Sequence, residues 1–170
     1  MRRGGGLSIG WIILRVTAIW LAEFVLYGVL DQRLDGLNHL TARVLGANLN
    51  LLHLHARVDG DTVWWLHDRH GFTIIDECTA VFGVSIYAAF LLAIPAGFRW
   101  RMVGLIGGGL AILVINQLRL LLLALVQTFI PSMFTFAHEY VWQVIFILTI
   151  ATLFLFWLGR VNREGAHVHH

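Results

Sequence analysis

The hydrophobic positions along the chain fall into four long runs. Mostly apolar stretches of about 20 residues, the length that crosses a hydrocarbon core, occur at roughly Leu7–Leu30, Cys78–Ala96, Met102–Ile130 and His138–Leu158. Each predicts a transmembrane helix, and together they predict one compact four-helix bundle. Between the first and second runs, the segment from Asp31 to Glu77 has a different texture. Its first part repeats Leu34, Leu37, Leu40, Val44, Leu45, Leu49 and Leu52 at helical spacing, with Asn38, Arg43, Asn48 and Asn50 interleaved. That pattern predicts one or two amphipathic helices lying on the outer membrane surface as a lid or rim. Its second part sets Asp59-Gly60, and a polar cluster ending in Gly71, between short β-prone runs. Those are hairpin signals, so a small two- or three-stranded meander is expected to lead straight into Cys78.

The punctuation of the later runs agrees. Pro95-Ala96-Gly97 stops the second and Pro131 follows the third. Gly104, Gly107, Gly108 and Gly109 near the start of the third predict close helix approach. The hydrophilic residues from Gly165 to His170 predict a frayed end.

Composition supports a membrane protein over a soluble domain: of 170 residues, 58% are hydrophobic and 13% charged, with a mean hydropathy of +0.76. The expected fold class is an all-α membrane protein, a single membrane domain over 1–170 with an extracytoplasmic insert at about 31–77. The first run is too long for a cleavable signal peptide and no small-residue cleavage site follows it, so it is expected to remain as an anchor.

Charge orients the bundle. There is no lysine, and arginines flank the runs at Arg2 and Arg3, at Arg99 and Arg101, and at Arg160 and Arg163. The Asp31–Glu77 segment instead holds Asp31, Asp35, Asp59, Asp61, Asp68, Asp76 and Glu77 against Arg33, Arg43, Arg57 and Arg69. By the positive-inside rule both termini and the Arg99 loop face the cytoplasm of a multi-pass protein. The insert and the Pro131 turn face outward.

A few polar residues interrupt the apolar runs. Arg15 lies close enough to the cytoplasmic end to snorkel. Glu23 sits deeper and is expected to point inward at a polar partner. Arg119 stands in the middle of the third run with Asn116 one helical turn before it. The only cysteine, Cys78, opens the second run and His138 opens the fourth. Measured from the cytoplasmic arginines at about 1.5 Å per residue, Cys78 lies roughly 25–30 Å up, Arg119 roughly 27 Å and His138 roughly 33 Å. All three converge near the outer boundary of the hydrocarbon.

Such a set suits acyl transfer by a thiolate. A nearby cation makes cysteine a better nucleophile. A histidine can protonate a leaving amine and deprotonate an incoming nucleophile. An arginine cannot act as a base, but its fork of donors suits an oxyanion or a carboxylate. Each residue also has a plainer reading: Cys78 as packing, Arg119 as a structural partner of Glu23 or Glu77, His138 as an ordinary helix-start residue. Taken together, those readings describe a non-enzymatic integral-membrane assembly or scaffold protein.

Glu77-Cys78-Thr79-Ala80 followed by an apolar helix to Pro95, then Asn116-Gln117-Leu118-Arg119, then His138-Glu139-Tyr140-Val141-Trp142-Gln143, resembles the exosortase/archaeosortase family over roughly Phe72 to Trp157. The resemblance implies a membrane cysteine protease or transpeptidase that reads a C-terminal sorting signal on exported proteins: a short motif, a transmembrane helix and a basic tail. It implies cleavage near the motif and transfer to an unidentified acceptor nucleophile, in the cell inner membrane. The family's cysteine, arginine and histidine fall on Cys78, Arg119 and His138, with Asn116, Glu77, Glu139 and Gln143 as supporting residues. Two features depart from the family: Ala80 stands where glycine is common, and the chain is a short, single-module form.

No cofactor is expected. His53/His55 and His67/His70 have ligand-like spacings, but no cysteine or carboxylate completes a strong metal motif. The basic residues form membrane-flanking pairs and no contiguous stripe, which argues against nucleic-acid binding.

Overall fold

A computed structural model describes the backbone of residues 9–167 and the side chains of that stretch except 26, 27, 29–35 and 164–167. The expectations for Arg2, Arg3, Leu7 and the last three residues lie outside the described residues. The chain is mostly helical. Helix α1 spans Ile9–Leu51, and the strands are β1 (Arg57–Asp59), β2 (Thr62–Trp65) and β3 (His70–Thr73). A 3-10 turn over Asp76–Cys78 precedes α2 (Val81–Ala93) and α3 (Phe98–Phe129). Pro131–Met133 and α4 (Phe134–Phe136) form short helical turns, followed by a π-helical turn over Ala137–Val141 and then α5 (Trp142–His167).

Two stretches are long and apolar enough to cross a membrane, Phe98–Phe129 and Pro131–Arg163. Their outward positions carry bare apolar side chains, among them Val103, Ile106, Leu110 and Leu113 on α3 and Val144, Ile147, Leu148 and Leu155 on α5. Side chains three or four apart share one helix face. That face has no protein partner among the described residues.

Three expectations need correction. The first anchor and the amphipathic surface helix are one continuous helix, the 43-residue α1. No proline interrupts it, and the apolar repeat keeps its register into the segment expected to lie flat. Ala42, Leu45 and Leu49 are buried against the sheet, so this part of α1 is a wall of the sheet's core. Second, Cys78 is not within a spanning helix. It ends the 3-10 turn, and the apolar helix after it has 13 residues, about 20 Å at 1.5 Å per residue and short of the roughly 30 Å of a hydrocarbon core. Third, α5 continues to His167, so the tail is helical further than its polar composition suggested.

The meander forms as an antiparallel sheet in the order β1-β2-β3. Val58 pairs with Val63, and Trp65 with His70. Gly60 supplies the positive φ of +60° at the first turn. Trp65 and Val63 point into a core shared with α1 and α3, formed by Leu45, Leu49, Ile74, Cys78, Leu120 and Ala124. Trp65 Nε1 donates to Thr128 Oγ1 at 2.7 Å, which ties the sheet to the end of α3. A second core lies between α2, α3 and α5, built from Ala80, Tyr87, Leu91, Ile112, Ile150 and Trp157. Here two of the four expected glycines act as foreseen: a Cβ on Gly104 would meet Leu91 and Trp157, and one on Gly108 would meet Tyr87. Gly107 and Gly109 have open space instead.

Candidate active site

The site is assembled where the two cores meet. The 3-10 turn delivers Cys78, whose N–H donates to Ile75 O at 2.8 Å. Thr79 fixes the exit from the turn. Its N–H and Oγ1 both donate to Asp76 O, at 3.0 Å and 2.7 Å, and its Oγ1 accepts from Val81 N at 3.4 Å. The turn is also held from α1, since Asn38 Nδ2 donates to Asp76 Oδ1 at 2.6 Å. Cys78 is buried.

Asn116 links the other two elements. It is 1% exposed in the middle of α3, where an unpartnered amide is costly. Its Nδ2 donates to the backbone carbonyl of Cys78 at 2.8 Å, and its Oδ1 accepts from Arg119 NH1 at 3.4 Å. One side chain therefore fixes the cysteine's backbone and aims the guanidinium. Arg119 is half-buried, and its Nε has no hydrogen-bond partner. It lies within Coulombic range of both Cys78 and His138. Among the described residues it forms no ion pair. Glu23, the structural partner considered for it, instead accepts a hydrogen bond from Ser85 Oγ at 2.6 Å. Glu77 is exposed and has no ion-pair partner among the described residues.

His138 arrives on the π-helical turn, where a wider winding than α re-aims side chains and which recurs at functional sites. Its ring stacks on Phe134, centroids 5.7 Å apart and 23° between planes. Phe134 in turn contacts Phe72 of β3 at 6.5 Å. The sheet thus braces the histidine through two aromatic rings.

Two cavities open beside these residues, and His138 lines both. The smaller, about 200 Å³, is walled by Cys78, His138 and a mostly apolar set including Phe72, Ile75, Leu120 and Leu123. The larger, about 800 Å³, has Arg119, His138, Glu77, Glu139 and Gln143 at its polar end. It continues between Phe82, Ile86, Phe146 and Ile150. Cys78 and Arg119 therefore face different cavities with the imidazole between them.

The trio expected from the depth count is brought together, and all four supporting residues lie around it: Asn116 as the link, Glu77, Glu139 and Gln143 on the wall of the larger cavity. Phe134 was missed. Its position four residues before His138, on the same helical face, was the available signal. Thr79 as the turn's clamp was also missed, although its partners Asp76 and Val81 are near neighbours in the chain, whereas Ser85 as the partner of Glu23 depends on a distant segment and left no local signal. Among the histidines of the insert, His55 and His67 approach to 5.4 Å between ring centroids. No group of three or more potential metal ligands occurs among the described residues.

Comparison with protein-family models, curated proteins and solved structures finds no match to this chain.

Proposed function

We propose that the chain is a membrane-embedded cysteine transpeptidase or protease of the exosortase type. It would cleave the C-terminal sorting signal of an exported protein through a thioester on Cys78. The observation that carries this reading is the Asn116 side chain, hydrogen-bonded at once to the Cys78 carbonyl and the Arg119 guanidinium. Packing alone does not require a buried amide there, whereas a thiol and a cation held in fixed relation suit acyl transfer.

In this reading the protein crosses the inner membrane four times, both termini are cytoplasmic, and the Cys78 end of the cavities opens on the extracytoplasmic side. α2 is shorter than a full span and would cross with the help of the 3-10 turn before it and the Pro95 loop after it. The arrangement of arginines supports the orientation.

The residues divide the chemistry as follows. His138 takes the proton of the Cys78 thiol, and the thiolate attacks the scissile carbonyl carbon, forming the S–C bond. The oxygen that becomes negative is met by the guanidinium of Arg119, which lines the larger cavity beside His138. The C–N bond then breaks, the departing amine takes the proton from His138, and a thioester remains. An amine, hydroxyl or water then attacks the thioester, giving its proton to His138, and the thiol is restored. The small apolar cavity at Cys78 holds the acyl-side residue of the substrate. The larger one receives the segment that leaves.

Incubating the purified protein with tagged sorting-signal peptides and examining it by mass spectrometry tests this reading. The expected result is an acyl adduct on Cys78, absent in Cys78→Ala. Equal peptide cleavage by Cys78→Ala would overturn it.

A further inference from the structure

The larger cavity is a cleft with its own polar device, set apart from the Cys78 end. Helices α1 and α5 each pack on α2 and α3 but scarcely on each other, and the cavity fills the gap between them. Its walls are apolar and bare: Phe24 is 63% exposed, Phe82 56% and Ile147 61%. In the middle of this surface stand Glu23 of α1 and Ser85 of α2, both lining the cavity. Ser85 Oγ donates to Glu23 Oε2 at 2.6 Å. Among the described residues Glu23 has no cationic partner. A carboxylate on a spanning helix is costly unless a donor or a cation meets it, and one hydroxyl supplies a single donor.

We infer that the cleft between α1 and α5 is a docking site for one transmembrane helix of a partner protein, and that the Glu23–Ser85 pair selects a partner helix carrying a hydrogen-bond donor or a positive side chain at its depth. Complementarity fixes the occupant. An acyl chain would cover the apolar walls yet offer Glu23 nothing, whereas a helix can present an amide or ammonium group beside apolar neighbours. Ser85 lies four residues inside α2, about 6 Å below its start. The matching donor thus belongs one to two turns below the outer boundary of the partner helix. The inference rests on the proposed function in that α1 and α2 cross the membrane as proposed there and such a helix would be the substrate's. It assigns Glu23 and Ser85 a role in selection, not in the reaction.

Cross-linking tests this in the full chain with Cys78→Ala, so that no cleavage intervenes. A photoreactive residue replaces Phe82. The probes are synthetic single-span Leu/Ala peptides in phospholipid nanodiscs, identical except for one Gln, Lys or Leu moved stepwise along the span. The expected result is about tenfold more cross-linking for Gln or Lys than for Leu at one depth, the worth of a good intramembrane hydrogen bond. Glu23→Leu should abolish the preference. Glu23→Gln, which keeps the shape and the hydrogen bonding, should retain it for Gln and lose it for Lys. Equal capture of all peptides, a preference surviving Glu23→Leu, or capture of phospholipid in place of peptide would overturn the inference. The two proposals fail separately. A depth-specific preference with no Cys78 adduct in the otherwise unsubstituted protein leaves the docking site standing and removes the protease. Adduct formation on tagged sorting-signal peptides that is equally fast whether their span carries Leu or Gln does the reverse.

Discussion

The core under the sheet and the core between α2, α3 and α5 meet two residues apart, at Cys78 in the first and Ala80 in the second. They are held by different means. Around the sheet, directional bonds fix each piece: from distant segments, Trp65 to Thr128 and Asn116 to Cys78, and locally Asn50, which both donates to Ala56 O at 3.0 Å and accepts from Ala56 N at 2.6 Å. Between the helices, close approach over glycine does most of the work. A Cβ on Gly83 would meet Phe146, and one on Gly108 would meet Tyr87. The difference follows from solvent and geometry. Sheet edges and turns carry backbone groups that need partners, whereas helices satisfy their own backbone and are free to associate by shape. The candidate chemistry sits at the boundary, where a turn with fixed hydrogen bonds meets helices with fixed spacing.

On that division, substitutions around the sheet and its turn should alter reactivity and those in the core between α2, α3 and α5 should alter stability alone. The largest effect is expected from Arg119→Lys, which keeps the charge but loses the fork of donors. Acyl-adduct formation on Cys78 should fall about 100-fold, the scale for losing an oxyanion donor, with membrane insertion unchanged. A normal rate would remove Arg119 from the reaction. Asn116→Leu should come next. It strands the Cys78 carbonyl and releases Arg119, at a cost of about 1–3 kcal/mol for the buried unsatisfied group, and adduct formation should slow about tenfold or more as the turn loses its anchor. A stability loss without any change in rate per folded molecule would return Asn116 to a packing role.

Gly108→Ala is the counterpart in the core between α2, α3 and α5. Overpacking against Tyr87 should cost about 1–3 kcal/mol, read as a lower midpoint of thermal unfolding in detergent, while the adduct rate of the folded fraction stays unchanged. A rate loss as large as that of Asn116→Leu would erase the distinction between the two regions. The smallest effect is expected from Thr128→Val, which keeps the side-chain shape and removes the acceptor of the Trp65 Nε1 bond, worth about 1 kcal/mol. Hydrogen exchange of β2 and β3 should quicken, with α2 and α5 unaffected.

Much of this was legible in the chain. Asp59-Gly60 and the cluster before Gly71 announced the meander because turn geometry is a local demand that few residues meet. Pro95 and Pro131 bounded their helices for the same reason. The meeting of Cys78, Arg119 and His138 was expected from counting helical rise, although the count took Cys78 to open a spanning helix and the structure sets it in a 3-10 turn before a 13-residue helix. The length of α1 was misread because a change from apolar to amphipathic pattern resembles a boundary, although nothing in the backbone chemistry of residues 31–51 breaks a helix. The placement of Cys78 in a 3-10 turn was also hidden: the residue belongs to an apolar run, and bonds from Asn116 and Asn38, together with the Thr79 clamp, hold the turn there.

By itself, then, the sequence determined that the chain is mostly helical and apolar and that a small sheet precedes the cysteine, and it set the expectation that three polar residues meet. These are consequences of periodicity, turn propensity and rise per residue, all local quantities. Only the tertiary structure decided that Asn116 joins Cys78 to Arg119, that Glu23 turns to Ser85 and away from Arg119, and that Phe72 and Phe134 brace His138. Those choices are competitions among buried polar and aromatic groups for partners far apart in sequence, and packing settles them.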